Sequence, residues 1–95
     1  MCTLIAAVRQ YRDAPLVIAA NRDEHLDRPA SGPRLWPSTS PPFLAPRDEK
    51  AGGTWVGLNQ RGVFVGVTNR FGAAHDAGRA SRGQLVVDAL SAESA

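Results

Sequence analysis

The chain has 95 residues, 43% of them hydrophobic, with 11 basic against 9 acidic side chains and a formal charge of +2; that length fits one domain with a modest core. A single cysteine excludes an internal disulfide, and the longest apolar runs, Leu4 to Val8 and Leu16 to Ala20, fall far short of the roughly 20 residues a bilayer span needs. Ten of the basic residues are arginines scattered from Arg9 to Arg82 among Asp and Glu, with Lys50 alone beside them, a pattern that predicts an ordinary mixed-charge surface and no nucleic-acid partner. No basic segment precedes a longer apolar one, so no secretory signal is read and a cytoplasmic location is expected.

The chain opens Met1-Cys2-Thr3-Leu4-Ile5-Ala6-Ala7-Val8. If Met1 is removed, which small second residues generally permit, Cys2 carries both a thiol and a free α-amine. An α-amine with a pKa of about 7.7–8.0 is a far better proton acceptor at neutral pH than a lysine near 10.4, so a nucleophile and its base reside in one residue. The competing reading of Cys2 is a small buried hydrophobe.

Thr3 to Val8 and Leu16 to Ala20 read as two strands joined through the polar stretch Arg9 to Ala14, an antiparallel hairpin with a loop longer than the tightest type. Both are apolar at nearly every position, which predicts that both faces are covered. Six prolines (29, 33, 37, 41, 42 and 46) then punctuate the chain, and because proline removes backbone donors, this stretch is expected to be a long surface loop pinned by Trp36, Phe43 and Leu44. Thr54 to Leu58 and Val63 to Thr68 flank Asn59-Gln60-Arg61-Gly62, a second hairpin with Gly62 suited to positive φ. Gly57 and Gly66 read as bulges or close backbone approaches. The last element starts at Ser81, an N-cap, and places Leu85, Val86, Ala89 and Leu90 on one apolar helical face, with no terminating cap visible after it. His25 and His75 stand in no metal-ligand spacing, and no metal site is predicted.

Met-Cys-Thr at the start, Asn21-Arg22-Asp23-Glu24 after the second strand, Gly52-Gly53-Thr54-Trp55-Val56-Gly57-Leu58-Asn59 and Val67-Thr68-Asn69, in that order, resemble the NRDE family, also called the transport and Golgi organisation protein 2 family. The resemblance covers essentially all 95 residues and is to the N-terminal part of longer proteins, so the chain is expected to be an incomplete family domain. It implies an α+β fold: part of the four-layer αββα sandwich of N-terminal-nucleophile hydrolases, here antiparallel hairpins plus one helix. It also implies a more distant similarity to bile-salt and penicillin-V acylases.

Carried onto this sequence, the resemblance makes Cys2 the nucleophile, Asp23 the carboxylate that holds the α-amine and Asn69 an oxyanion-hole donor. Asn21 matches the signature asparagine and, with Arg22, is a substrate-binding candidate. The acylases' signature arginine is Ala20 here, and Arg22 is expected on the opposite side of a regular strand. Turn chemistry is the ordinary alternative for Asn21, Asp23 and Asn69. The function expected is cysteine-dependent hydrolysis of an amide or ester bond in a small molecule, without a cofactor. The alternative implied by the same family is a non-catalytic carrier of haem or a lipid metabolite, with haem as ligand and not as a resident group. One helix against four apolar strands further predicts an uncovered sheet face and self-association.

Overall fold

Two apolar, β-branched-rich segments pair first: β1 (Thr3–Tyr11) runs antiparallel to β2 (Ala14–Asn21), with Thr3 opposite Asn21 and Val8 opposite Leu16. The structure is a computed structural model and describes residues 2–36, 39–69 and 78–95. The strands run longer than the apolar pattern and the turn between them is tight. A register shift between Val8 and Tyr11 absorbs the polar residues, with Arg9 in the left-handed region at φ 54°, as a bulge allows. Among the described residues the expected cover on both faces is not found: Ile5 and Val8 are more than half exposed, and Leu16 and Val17 are open as well. Leu4 reaches the rest of the molecule, lying over Gly66.

The proline-rich stretch is not a loop. It holds β3 (Ala30–Trp36) and β4 (Phe43–Asp48), which pair with each other, and β4 is an inner strand of a four-stranded antiparallel sheet ordered β3-β4-β5-β6. The prolines are tolerated because their missing donors fall where the ladder is irregular. Pro33 lies in the register shift between Ser31 and Arg34, and Pro46 faces that shift on one side, while on the other the pairing of β4 with β5 joins Phe43 to Asn59 and Leu44 to Leu58 and stops short of Pro46. This is the proline placement that an inner strand permits. β5 (Val56–Asn59) and β6 (Phe64–Gly66) form the expected second hairpin. Gly62 turns it at φ 82°.

The helix α1 (Arg82–Ala89) begins as expected, with the Ser81 hydroxyl accepting the Gln84 N–H at 3.1 Å. Its buried face matches the expected one at Val86 and Leu90 and departs from it at Leu85 and Ala89. Val86 and Leu90 pack into the core with Phe43 and Ala45, and Val87 lies beside them, whereas Leu85 is 57% exposed. Leu90 approaches β5 at Gly57, where a Cβ would lie 2.5 Å from Leu90 Cδ1, so that glycine marks a close approach.

The end of the helix is held from a distance. Asn59, 3% exposed, donates through Nδ2 to the carbonyls of Leu90 (3.0 Å) and Ala92 (2.8 Å), and its Oδ1 accepts the N–H groups of Arg61 and Val63, both at 2.9 Å. One amide thereby ties the β5–β6 turn to the C-cap carbonyl of α1 and to a carbonyl just beyond the helix. The described residues thus form a small mixed α+β domain of two antiparallel sheets and one helix. Phe71, Gly72, His75 and Asp76 lie outside the described residues.

Candidate functional site

The β1–β2 register fixes where the cysteine sits. With Thr3 opposite Asn21, Cys2 falls beside Arg22, and its Sγ lies 3.9 Å from the Asp23 backbone oxygen. Both Cys2 and Arg22 line a cleft of about 680 Å³ whose other walls come from the β4–β5 connection, the segment after β6 and the start of α1. Asn69 lines the same cleft from 67 residues further along the chain. The expectation that Arg22 lies on the opposite side is corrected: positions 20 and 22 are two apart and share a strand face, and the guanidinium turns inward to stack on Trp55, 4.7 Å from the ring centroid.

The other sequence candidates are placed differently. Asp23 is exposed and does not line the cleft. Its carboxyl is held below the ordinary carboxylate range, first by a hydrogen bond from the chain's terminal ammonium and then by the charge of that same group. Asn21 is exposed at the end of β2 and takes no part in the cleft wall.

Asp48 organises the floor. Its Oδ2 accepts Arg28 Nε at 2.9 Å and lies 2.7 Å from the same guanidinium's terminal nitrogen, while Oδ1 accepts the N–H groups of Lys50 and Ala51. Its backbone N–H donates to Gly53 O at 2.8 Å, and its carbonyl accepts Gly52 N–H at 2.7 Å. Burial pushes the Asp48 carboxyl upward, but the hydrogen bonds from Arg28, Ala51 and Lys50 outweigh it, and the group ends below its ordinary value. The hydrogen bond to Asp48 raises Arg28 in turn. Glu24, another wall residue, is lowered by accepting the His25 N–H at 2.9 Å, then, against the opposing effect of burial, by the charges of Arg28 and Arg22.

The start of α1 is brought to the cleft by two glycines in backbone contact. A Cβ on Gly53 would lie 2.7 Å from the carbonyl carbon of Gly83, so only glycine lets the chain pass there. Ser81, Arg82 and Gly83 consequently border the cleft opposite Cys2's strand pair, with the positive end of the helix beside them. Among the described residues, no three His, Cys, Asp or Glu side chains come together to hold a metal ion.

Arg28, Asp48, Arg79 and Arg82 line the cleft without standing out in the sequence, and Trp55, which lines it too, stands out there only as part of the Gly52–Asn59 motif. For the Arg28–Asp48 pair a signal existed only in the pairing: Ala30 lies opposite Asp48, which brings the residues just before β3 alongside the end of β4. For Arg79 and Arg82 the signal lies only in the Gly53–Gly83 backbone contact.

Fold and cleft together define a small α+β domain whose one cysteine, at its second residue, borders a basic cleft. The family model described as Transport and Golgi organisation 2 matches residues 1–95, and the chain belongs to that family. It is similar to the Transport and Golgi organization protein 2 homolog of Bos taurus and the Transport and Golgi organization 2 homolog of Mus musculus, 35% identical to each over 80 residues that make up 82% of this chain and 29% of each relative. To the Homo sapiens homolog it is 34% identical over the same shares. The chain therefore spans 29% of the length of these relatives in the aligned region. No solved structure matches it.

Proposed function

We propose that this chain carries the nucleophile end of a cysteine-dependent hydrolase of the N-terminal-nucleophile type, acting on an amide or ester of a small molecule. The observation that carries the reading is the meeting of Cys2 and Asn69, distant in sequence, on one cleft. Asp23 supports it, since its carboxyl responds to the terminal ammonium. Removal of Met1 would carry the new ammonium to Cys2, one residue further along, and we assign Asp23 to it there.

The chemistry then runs with the proton accounted for. The free α-amine takes the thiol proton, and the Cys2 thiolate attacks the carbonyl carbon. The resulting oxyanion accepts a hydrogen bond from the Asn69 amide, with Asp23 steadying the ammonium. Collapse expels the amine or alcohol, which leaves with the ammonium proton, and a thioester remains on Cys2. Water, deprotonated by the amine, then releases the acid and restores the thiol.

The test is intact-mass analysis of the purified chain after exposure to p-nitrophenyl acetate. An acetyl adduct that maps to Cys2 and disappears in Cys2→Ala supports the reading. No adduct on a folded chain, together with a haem absorption band on titration, would transfer the cleft to a carrier.

A further inference from the structure

One terminal nitrogen of the Arg22 guanidinium is set in place without an acceptor among the described residues. The guanidinium is stacked on Trp55, and that nitrogen is buried. The nearest carboxylate oxygen, Asp48 Oδ2, is 3.8 Å away, beyond hydrogen-bond length. That oxygen is already taken by Arg28, and the other Asp48 oxygen by two backbone N–H groups. Asp48 therefore balances part of the charge on Arg22 but cannot satisfy its fork. Around it, the described wall of the cleft carries Arg28 and Arg82 beside the carboxylates of Glu24 and Asp48, and Asp48 is engaged by Arg28. A buried charged donor lacking its acceptor is uncommon in folded proteins, and the planar arginine fork matches an oxyanion.

We propose that the cleft takes an anionic substrate, whose carboxylate or phosphoryl oxygen accepts from Arg22 beside the carbonyl that Cys2 attacks. Trp55 and Asp48 are positioning residues for this contact. The proposal rests on the cysteine reading only in taking Cys2 as the reactive atom.

Two alkylating agents of nearly equal shape test it, because iodoacetate is anionic and iodoacetamide neutral. In both reactions the Cys2 thiolate forms a bond to the methylene carbon and iodide leaves. The ratio of the iodoacetate to the iodoacetamide rate constant should be at least about tenfold higher in the folded chain than in the same chain unfolded in urea. It should fall to the unfolded value in Arg22→Gln and recover in part in Arg22→Lys. Protection of Cys2 by acetate would identify a carboxylate as the bound group, and protection by inorganic phosphate a phosphoryl group.

A folded-state ratio equal to the unfolded one, or protection by neither anion, overturns the proposal, and the wild-type comparison stands even if a variant fails to fold. The two readings fail separately. A raised ratio on a chain that p-nitrophenyl acetate never acylates removes the hydrolase and keeps the anion site. Acylation with a flat ratio does the reverse.

Discussion

Replacing Asn59 by alanine removes four hydrogen bonds at once, at 2.8–3.0 Å, from a side chain that is 3% exposed. Each bond contributes about 1 kcal/mol net, and the partners left behind in buried surroundings, the Val63 N–H and the Leu90 carbonyl, add a desolvation cost, so the loss comes to about 3–5 kcal/mol. A chain of this length has about 5–14 kcal/mol of stability in all. At about 4–8 °C per kcal/mol the midpoint of thermal unfolding should fall by at least about 12 °C. A thermal melt followed by the fluorescence of Trp36 and Trp55 measures the midpoint, and a urea titration with the same signal measures the free-energy loss. Asn59→Asp gives a second reading, since it keeps the acceptor for Arg61 and Val63 but turns a charged oxygen toward two carbonyls. It should be as damaging as alanine at pH 7 and partly recover when protonated. A loss below about 1 kcal/mol for Asn59→Ala, with the denaturant slope unchanged, would refute the claim that this amide ties helix to turn.

Asn69→Ala should slow acylation of Cys2 by at least about tenfold while leaving the unfolding midpoint in place, as loss of one oxyanion donor does; single-turnover mass analysis decides it. Asp48→Asn should cost about 1.5–3 kcal/mol at pH 7 through its charged bond to Arg28. Because the folded carboxyl lies below its ordinary value of 3.8, the wild-type advantage is complete above that pH and is lost as pH falls through and below it. Urea midpoints of the two proteins converging on acidification would bear this out. Gly53→Ala drives a methyl into the Gly83 backbone and should destabilise by about 1–3 kcal/mol, with the change in Cys2 alkylation rate reporting whether the helix start has moved from the cleft.

Local chemistry was legible where the chain alone decides the outcome. Ser81 capping α1, Gly62 turning β5 into β6 and the apolar run of β1 each follow from side-chain type and spacing. The proline stretch was misread because its rule concerns ladder positions and not composition: Pro33 and Pro46 meet across a register shift that no single segment reveals. The helix face was legible at Val86 and Leu90, which are buried, but not at Leu85, which is exposed while Val87 packs against the core; which flank of the stripe is covered depends on contacts such as Leu90 on Gly57, 33 residues apart. In the same way Cys2 and Asn69 were legible as candidates through a resemblance, while the Arg22–Trp55 stack and the Arg28–Asp48 pair that shape the cleft between them depend on how the two sheets meet.

The most direct measurement compares acylation of Cys2 by p-nitrophenyl acetate in two forms of the same chain, one beginning at Cys2 and one retaining Met1. The mechanism needs the Cys2 nitrogen as a free base, and in the second form that nitrogen is an amide. The account predicts a thioester adduct that builds on Cys2 in the processed form and is at least about a hundredfold slower in the other, with both forms folded by circular dichroism. Equal rates in the two forms would contradict it.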